Sequence, residues 1–91
     1  RELLANPAID AVVVASPDHW HALHAIHATD AANDVYVEKP MTLTIREGRL
    51  MADAAKAHGR IVQVGSQQRS MAENRWACEL IRNGRIGQVH T

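Results

Sequence analysis

Three short runs of apolar, largely β-branched residues, at positions 9–15, 35–37 and 61–64, alternate with stretches of helical periodicity, and this alternation constrains the chain more than any other feature. Strands joined through helices by short connections run parallel, because each crossover returns the chain to the same end of the sheet. The run at 9–15, Ile-Asp-Ala-Val-Val-Val-Ala, is nearly continuous rather than alternating, which predicts a strand buried on both faces. The expected fold class is α/β, with these elements forming the C-terminal half of a doubly wound parallel sheet.

The connections carry their own signals. Ser16, Pro17 and Asp18 read as a helix start, with Ser16 as N-cap, Pro17 at the first helical position and Asp18 favourable to the dipole. That helix is predicted to reach residue 31, with Trp20, Leu23 and Ile26 on its packing side and Ala32, Asn33 and Asp34 as its exit turn. Thr44 and Glu47 form a T-x-x-E capping box that opens a second helix running to His58, where Gly59 stops it. A third helix is predicted over 71–83 and ends at Gly84, and Val89, His90 and Thr91 read as the start of another strand. A chain of 91 residues opening on Arg1 and closing in a new strand reads as a segment of a longer protein. Residues 1–88 are assigned to a partial nucleotide-binding domain and 89–91 to the start of a second α/β domain. Cut from the rest of its sheet, such a segment should expose an apolar strand edge and tend to aggregate.

Ten basic residues balance ten acidic ones, so charge gives no footprint for nucleic acid or an anionic membrane. No apolar run approaches the roughly 18 residues of a bilayer span. Cys78 is the single cysteine, which rules out an intrachain disulfide.

In an open parallel sheet, residues just after each strand face the ligand crevice. Here those are Ser16, Pro17 and Asp18, then Glu38, Lys39 and Pro40, then residues 65–69, Gly-Ser-Gln-Gln-Arg. Pro40 stops the second strand and lacks a backbone donor, so the Lys39 amine is fixed at a corner where partial burial would suit it to proton transfer. The alternative for Glu38 and Lys39 is a solvated salt pair. His19, His21, His24 and His27 crowd one helix, but no partner at metal-ligand spacing accompanies them and no metal is expected; His21 stands apart because it falls on the first turn, near the crevice. Trp20 and Trp76 are read as packing residues. No G-x-G-x-x-G, P-loop, G-x-S-x-G or C-x-x-C occurs, so the residues carry no self-sufficient cofactor fingerprint.

The segments V-V-V-A-S-P-D-H-W-H, D-V-Y-V-E-K-P and V-G-S-Q-Q-R-S, followed by I-R-N-G-R-I-G, resemble the Gfo/Idh/MocA oxidoreductase family, named for glucose-fructose oxidoreductase and inositol dehydrogenase. The S/T-P-x-x-x-H and E-K-P patterns are weak singly and specific together at this spacing, and the resemblance covers essentially the whole chain. It implies a Rossmann domain binding NAD, with NADP left open, ahead of a second domain that carries most of the substrate site. It further implies hydride transfer between the nicotinamide ring and a sugar or cyclitol hydroxyl or carbonyl. Lys39 matches the family lysine near the nicotinamide and the substrate oxygen, with Glu38 and Pro40 as its flanks. Ser16, Pro17 and His21 match the cofactor-side turn, and Gln67 and Arg75 fall where some members touch the cofactor. Asp18 stands where many members have asparagine and Asn33 where a glycine is common. A homo-oligomer is the expectation for the intact protein, cytoplasmic by default and with export left open. Two rival readings are an NAD-dependent glycoside-cleaving enzyme of the same fold and a non-catalytic binding protein.

Overall fold

A computed structural model describes residues 2–90. Three parallel strands, β1 (Ala11–Val14), β2 (Asp34–Val37) and β3 (Val62–Val64), lie side by side in chain order. Helix α1 (His21–Asp30) connects β1 to β2, α2 (Ile45–His58) connects β2 to β3, and α3 (Ala72–Arg82) follows. The register places Val12 beside Val35 beside Val62, Val13 beside Tyr36 beside Gln63, and Val14 beside Val37 beside Val64.

Because strand side chains alternate, this register makes one apolar face and one mixed face. Val14, Val35 and Val37 are buried on the first, with Val12, Val62 and Val64 packed around them. Ala22, Ala25 and Ala28 of α1, spaced three apart, let that helix approach the strands closely, and Met51 is the buried anchor of α2. Each well-buried valine is worth about 1.5–3 kcal/mol of transfer free energy. The second face carries Val13, which is 70% exposed, and Tyr36. The expectation of a β1 strand buried on both faces is met on one face only among the described residues: α1 and α2 cover the face of Val12 and Val14, and no described element covers the other. The outer edge of β1 borders an apolar groove that includes Leu3, Val13 and Leu23.

The capping box at α2 forms as expected. Thr44 Oγ1 accepts from the Glu47 N–H at 3.2 Å, and Glu47 Oε2 accepts from the Thr44 and Leu43 N–H groups at 3.1 and 2.9 Å. Thr44→Ala should cost about 1 kcal/mol of unfolding free energy by denaturant titration, and an unchanged midpoint would show that the cap contributes nothing. Gly59 closes the helix in the left-handed region at φ 61°. On the exposed side of α2, Arg49 pairs with Asp53 one turn on, and the guanidinium hydrogen bond holds the Asp53 carboxyl below its ordinary range. Whatever stability that pair adds is present above the ordinary carboxylate range and is lost as pH falls through the lowered value.

The start of α1 differs from expectation. Ser16 makes no cap: Pro17 sits at φ −56°, ψ 145°, and Asp18–Trp20 form a 3₁₀ turn before the α-helix begins at His21. The extended ψ of Pro17 turns the chain away from helix, and the proline ring disfavours helical geometry at Ser16 as well. At the other end, the left-handed residue is Ala32, with φ 62°, rather than Asn33, so the glycine-type position lies one residue earlier than read from the sequence. Neither tryptophan is core. Trp20, on the 3₁₀ turn, is 43% exposed and stacks on His24 at 5.7 Å between ring centroids. Trp76 is 64% exposed because α3 has no buried residue and rests mainly on a 3₁₀ turn at Gln67–Ser70. Val89 and His90 pair with no strand, and Thr91 lies outside the described residues. Among the described residues, no helix is long and apolar enough to cross a membrane.

Candidate functional site

The parallel ladder continues one bond beyond the strands: Glu38 N–H donates to Val14 O at 2.9 Å and Gly65 N–H to Val37 O at 2.8 Å. All three strand exits are thus fixed in height on the carboxyl edge of the sheet. Lys39 stands at the middle exit and, with Gly65, Ser66, Gln67, Gln68 and Arg69, lines a cavity of about 280 Å³. Strand direction alone placed these turns on one edge, and the structure brings Lys39 and Gln67 into one cleft. Arg75 lies elsewhere, in a groove between the Gln67–Ser70 turn and α3, where its Nε donates to Glu79 Oε1 at 3.2 Å. The Lys39 side is exposed, not partly buried, since the 65–69 turn is the element that borders it.

Glu38 is held by backbone rather than by the Lys39 amine. Its Oε2 accepts from the Lys39 N–H at 3.3 Å and lies 2.9 Å from where a Cβ on Gly65 would stand; the Tyr36 hydroxyl is 3.2 Å from the same point. Glycine at 65 therefore makes room for both groups at the cleft floor. In Gly65→Ala the Glu38 carboxylate must swing aside, which should cost about 1 kcal/mol because only the ends of side chains obstruct the methyl. Thermal melting checks the stability. A turnover assay should show a larger proportional loss than the melt, since the shifted carboxylate neighbours Lys39. The Tyr36 contact escaped the sequence reading, although i, i+2 alternation puts Tyr36 and Glu38 on one face and the register brings Gly65 beside Glu38.

His21 is 1% exposed at the first position of α1. Its ring reaches the Ser16 and Pro40 carbonyls, so both flanking turns of the sequence motif meet on one side chain. Pro17 lies between Ser16 and the 3₁₀ turn and shapes that turn through its backbone. His24 Nδ1 lies 3.1 Å from Ser16 Oγ. Among the described residues, no group of three His, Cys, Asp or Glu side chains is placed to hold a metal ion.

The donors at the cleft suit the polar end of a dinucleotide. An ammonium, two side-chain amides and a guanidinium can bind a carboxamide and ribose hydroxyls, and the floor cleared by Gly65 admits close approach. The chain holds no glycine-rich turn to cradle a pyrophosphate. Parallel sheet, short crossovers and a donor-lined carboxyl edge define this as part of an open α/β domain of the dinucleotide-binding class.

The model of an oxidoreductase family with an NAD-binding Rossmann fold, GFO_IDH_MocA, matches residues 1–66, and the chain belongs to that family. scyllo-Inositol 2-dehydrogenase (NAD(+)) of Bacillus subtilis is 37% identical over 68 residues, covering 75% of this chain and 20% of that protein. Myo-inositol 2-dehydrogenase from Lactobacillus plantarum superposes with a TM-score of 0.79 at 31% identity, over 97% of this chain and 26% of that one. The WlbA dehydrogenase of Bordetella pertussis, solved with NADH and UDP-GlcNAcA, gives 0.79 at 31% identity over 98% and 26%. The chain spans 20% to 27% of the length of the curated relatives it matches.

Proposed function

We propose that the protein containing this chain is an NAD-dependent oxidoreductase that moves a hydride between the nicotinamide and a carbon of a sugar or cyclitol. The observation that carries this reading is Lys39 at the exit of the central strand, facing the turn at 65–69 across a cleft on the carboxyl edge. The names of the relatives, inositol dehydrogenases and 1,5-anhydro-D-fructose reductase among them, supply the substrate class.

Bound NAD would supply the two-electron hydride acceptor or donor. Lys39 Nζ takes the proton of the reacting hydroxyl in the oxidising direction and returns it to the oxygen in reduction. Glu38 and Gly65 fix the backbone that presents the amine. Gln67 and the Ser16–Pro17 turn orient the cofactor's polar end, whereas Arg75, paired with Glu79 on α3, is left out of the cleft.

The test is a screen of cyclitols and aldoses with the full-length protein and NAD or NADP. A product ketone or lactone formed in step with reduced cofactor is expected. Glycoside cleavage with no net cofactor reduction would replace this reading with that of a glycoside-cleaving enzyme. Tight cofactor binding without turnover of any such substrate would leave a binding protein.

A further inference from the structure

The buried His21 ring makes two contacts that the proposed chemistry does not use. Nδ1 lies 2.6 Å from the Pro40 carbonyl oxygen and Nε2 lies 2.8 Å from the Ser16 carbonyl oxygen. Both partners are acceptors only, whereas a neutral imidazole carries one N–H and one bare nitrogen. In a neutral ring one nitrogen donates to its carbonyl while the other faces the second oxygen, and the ring itself is only 1% exposed. Both separations are within hydrogen-bond range, so at least one ring N–H donates to a strand-exit carbonyl while the ring bridges the two. Among the described residues, neither carbonyl accepts from a backbone N–H, so the ring is the protein group within hydrogen-bond reach of both.

We propose that His21 is a positioning residue: its ring bridges the β1 exit to the β2 exit and thereby sets where Lys39, one residue before Pro40, meets the 65–69 turn. This role rests on the reading of Lys39 as the proton-handling group. The two carbonyls belong to successive strand exits, 24 positions apart in sequence (40 − 16), and no other side-chain hydrogen bond joins these segments. The titratable groups on the segments the ring joins are Asp18, His19 and His24 on its own side and Glu38 and Lys39 on the facing exit. None of them hydrogen-bonds to the ring.

The test uses the full-length protein with ring-¹⁵N histidine, the His21 signals being identified by their absence in His21→Asn or His21→Gln. A His21 ring N–H signal should persist, protected from exchange with water, and rapid exchange at both ring nitrogens would overturn the clamp. An asparagine amide can reach one carbonyl at most, so His21→Asn should lower kcat by roughly 100-fold, the scale of a misplacement of about 1 Å. Its dissociation constant for NAD should change by a smaller factor than kcat does, because a lost positioning contact acts mainly on the chemical step. Reductive ¹³C-methylation should show a displaced Lys39 signal in the same variant. A folded His21→Asn protein with wild-type kcat and an unmoved Lys39 signal would also overturn the proposal. If that variant does not fold, the wild-type ring spectrum decides. If the wild type turns over no sugar or cyclitol, the ring and Lys39 signals still test the clamp, which separates its failure from that of the oxidoreductase reading.

Discussion

Lys39→Ala in the full-length protein should reduce turnover by about 10²- to 10⁴-fold, the range supplied by a positioned acid–base group. The side chain is exposed, so its removal opens no cavity and leaves no buried partner unpaired. Thermal stability should stay within about 0.5 kcal/mol of wild type, as for surface substitutions away from caps and core. Affinity for reduced cofactor, followed by fluorescence titration, should change little, since Lys39 is one donor among several at the cleft. This separation of turnover from binding is the signature of an interaction made in the transition state. Normal turnover in the variant would remove Lys39 from the mechanism and shift the proton-handling role to another group.

Met51→Ala should destabilise by about 2–5 kcal/mol, which is a large part of a domain's total stability. Met51 is 3% exposed and is the buried side chain through which α2 packs on the sheet, beside Met41, Val62 and Val64. The loss combines transfer free energy with a cavity that the small residues nearby, Gly48, Ala52 and Ala55, cannot fill. Denaturant titration reads it directly. A change below about 1 kcal/mol would mean that the core collapses around the site, placing the anchor of α2 elsewhere.

Local signals were strongest where one interaction range settled the outcome. The T-x-x-E box and Gly59 marked both ends of α2 because each acts within four residues of the backbone it satisfies. Strand direction followed from short connections between alternating elements, and with it the gathering of Lys39 and Gln67 on one edge. The start of α1 was misread for the opposite reason. Ser16 and Pro17 have the residue types of a cap, yet Ser16 turns its carbonyl to His21 Nε2, a contact that forms only when the ring is buried between the two strand exits.

The two tryptophans and Val13 show a further boundary. Aromatic and β-branched residues mark apolar surface but do not say which described element covers it; Val13 remains open because α1 and α2 pack on the other face, and Trp76 because α3 rests mainly on the Gln67–Ser70 turn. Sequence by itself determined the parallel α/β order, the capped second helix and the lysine at the central strand exit, since all three depend on residue type and short spacing. Tertiary structure alone decided that His21 bridges Ser16 to Pro40, that Glu38 and Tyr36 share the space left by Gly65, and that Arg75 stays outside the cleft. Those contacts join residues far apart in the chain, and their distances are set only when the strands are in register and the helices are docked.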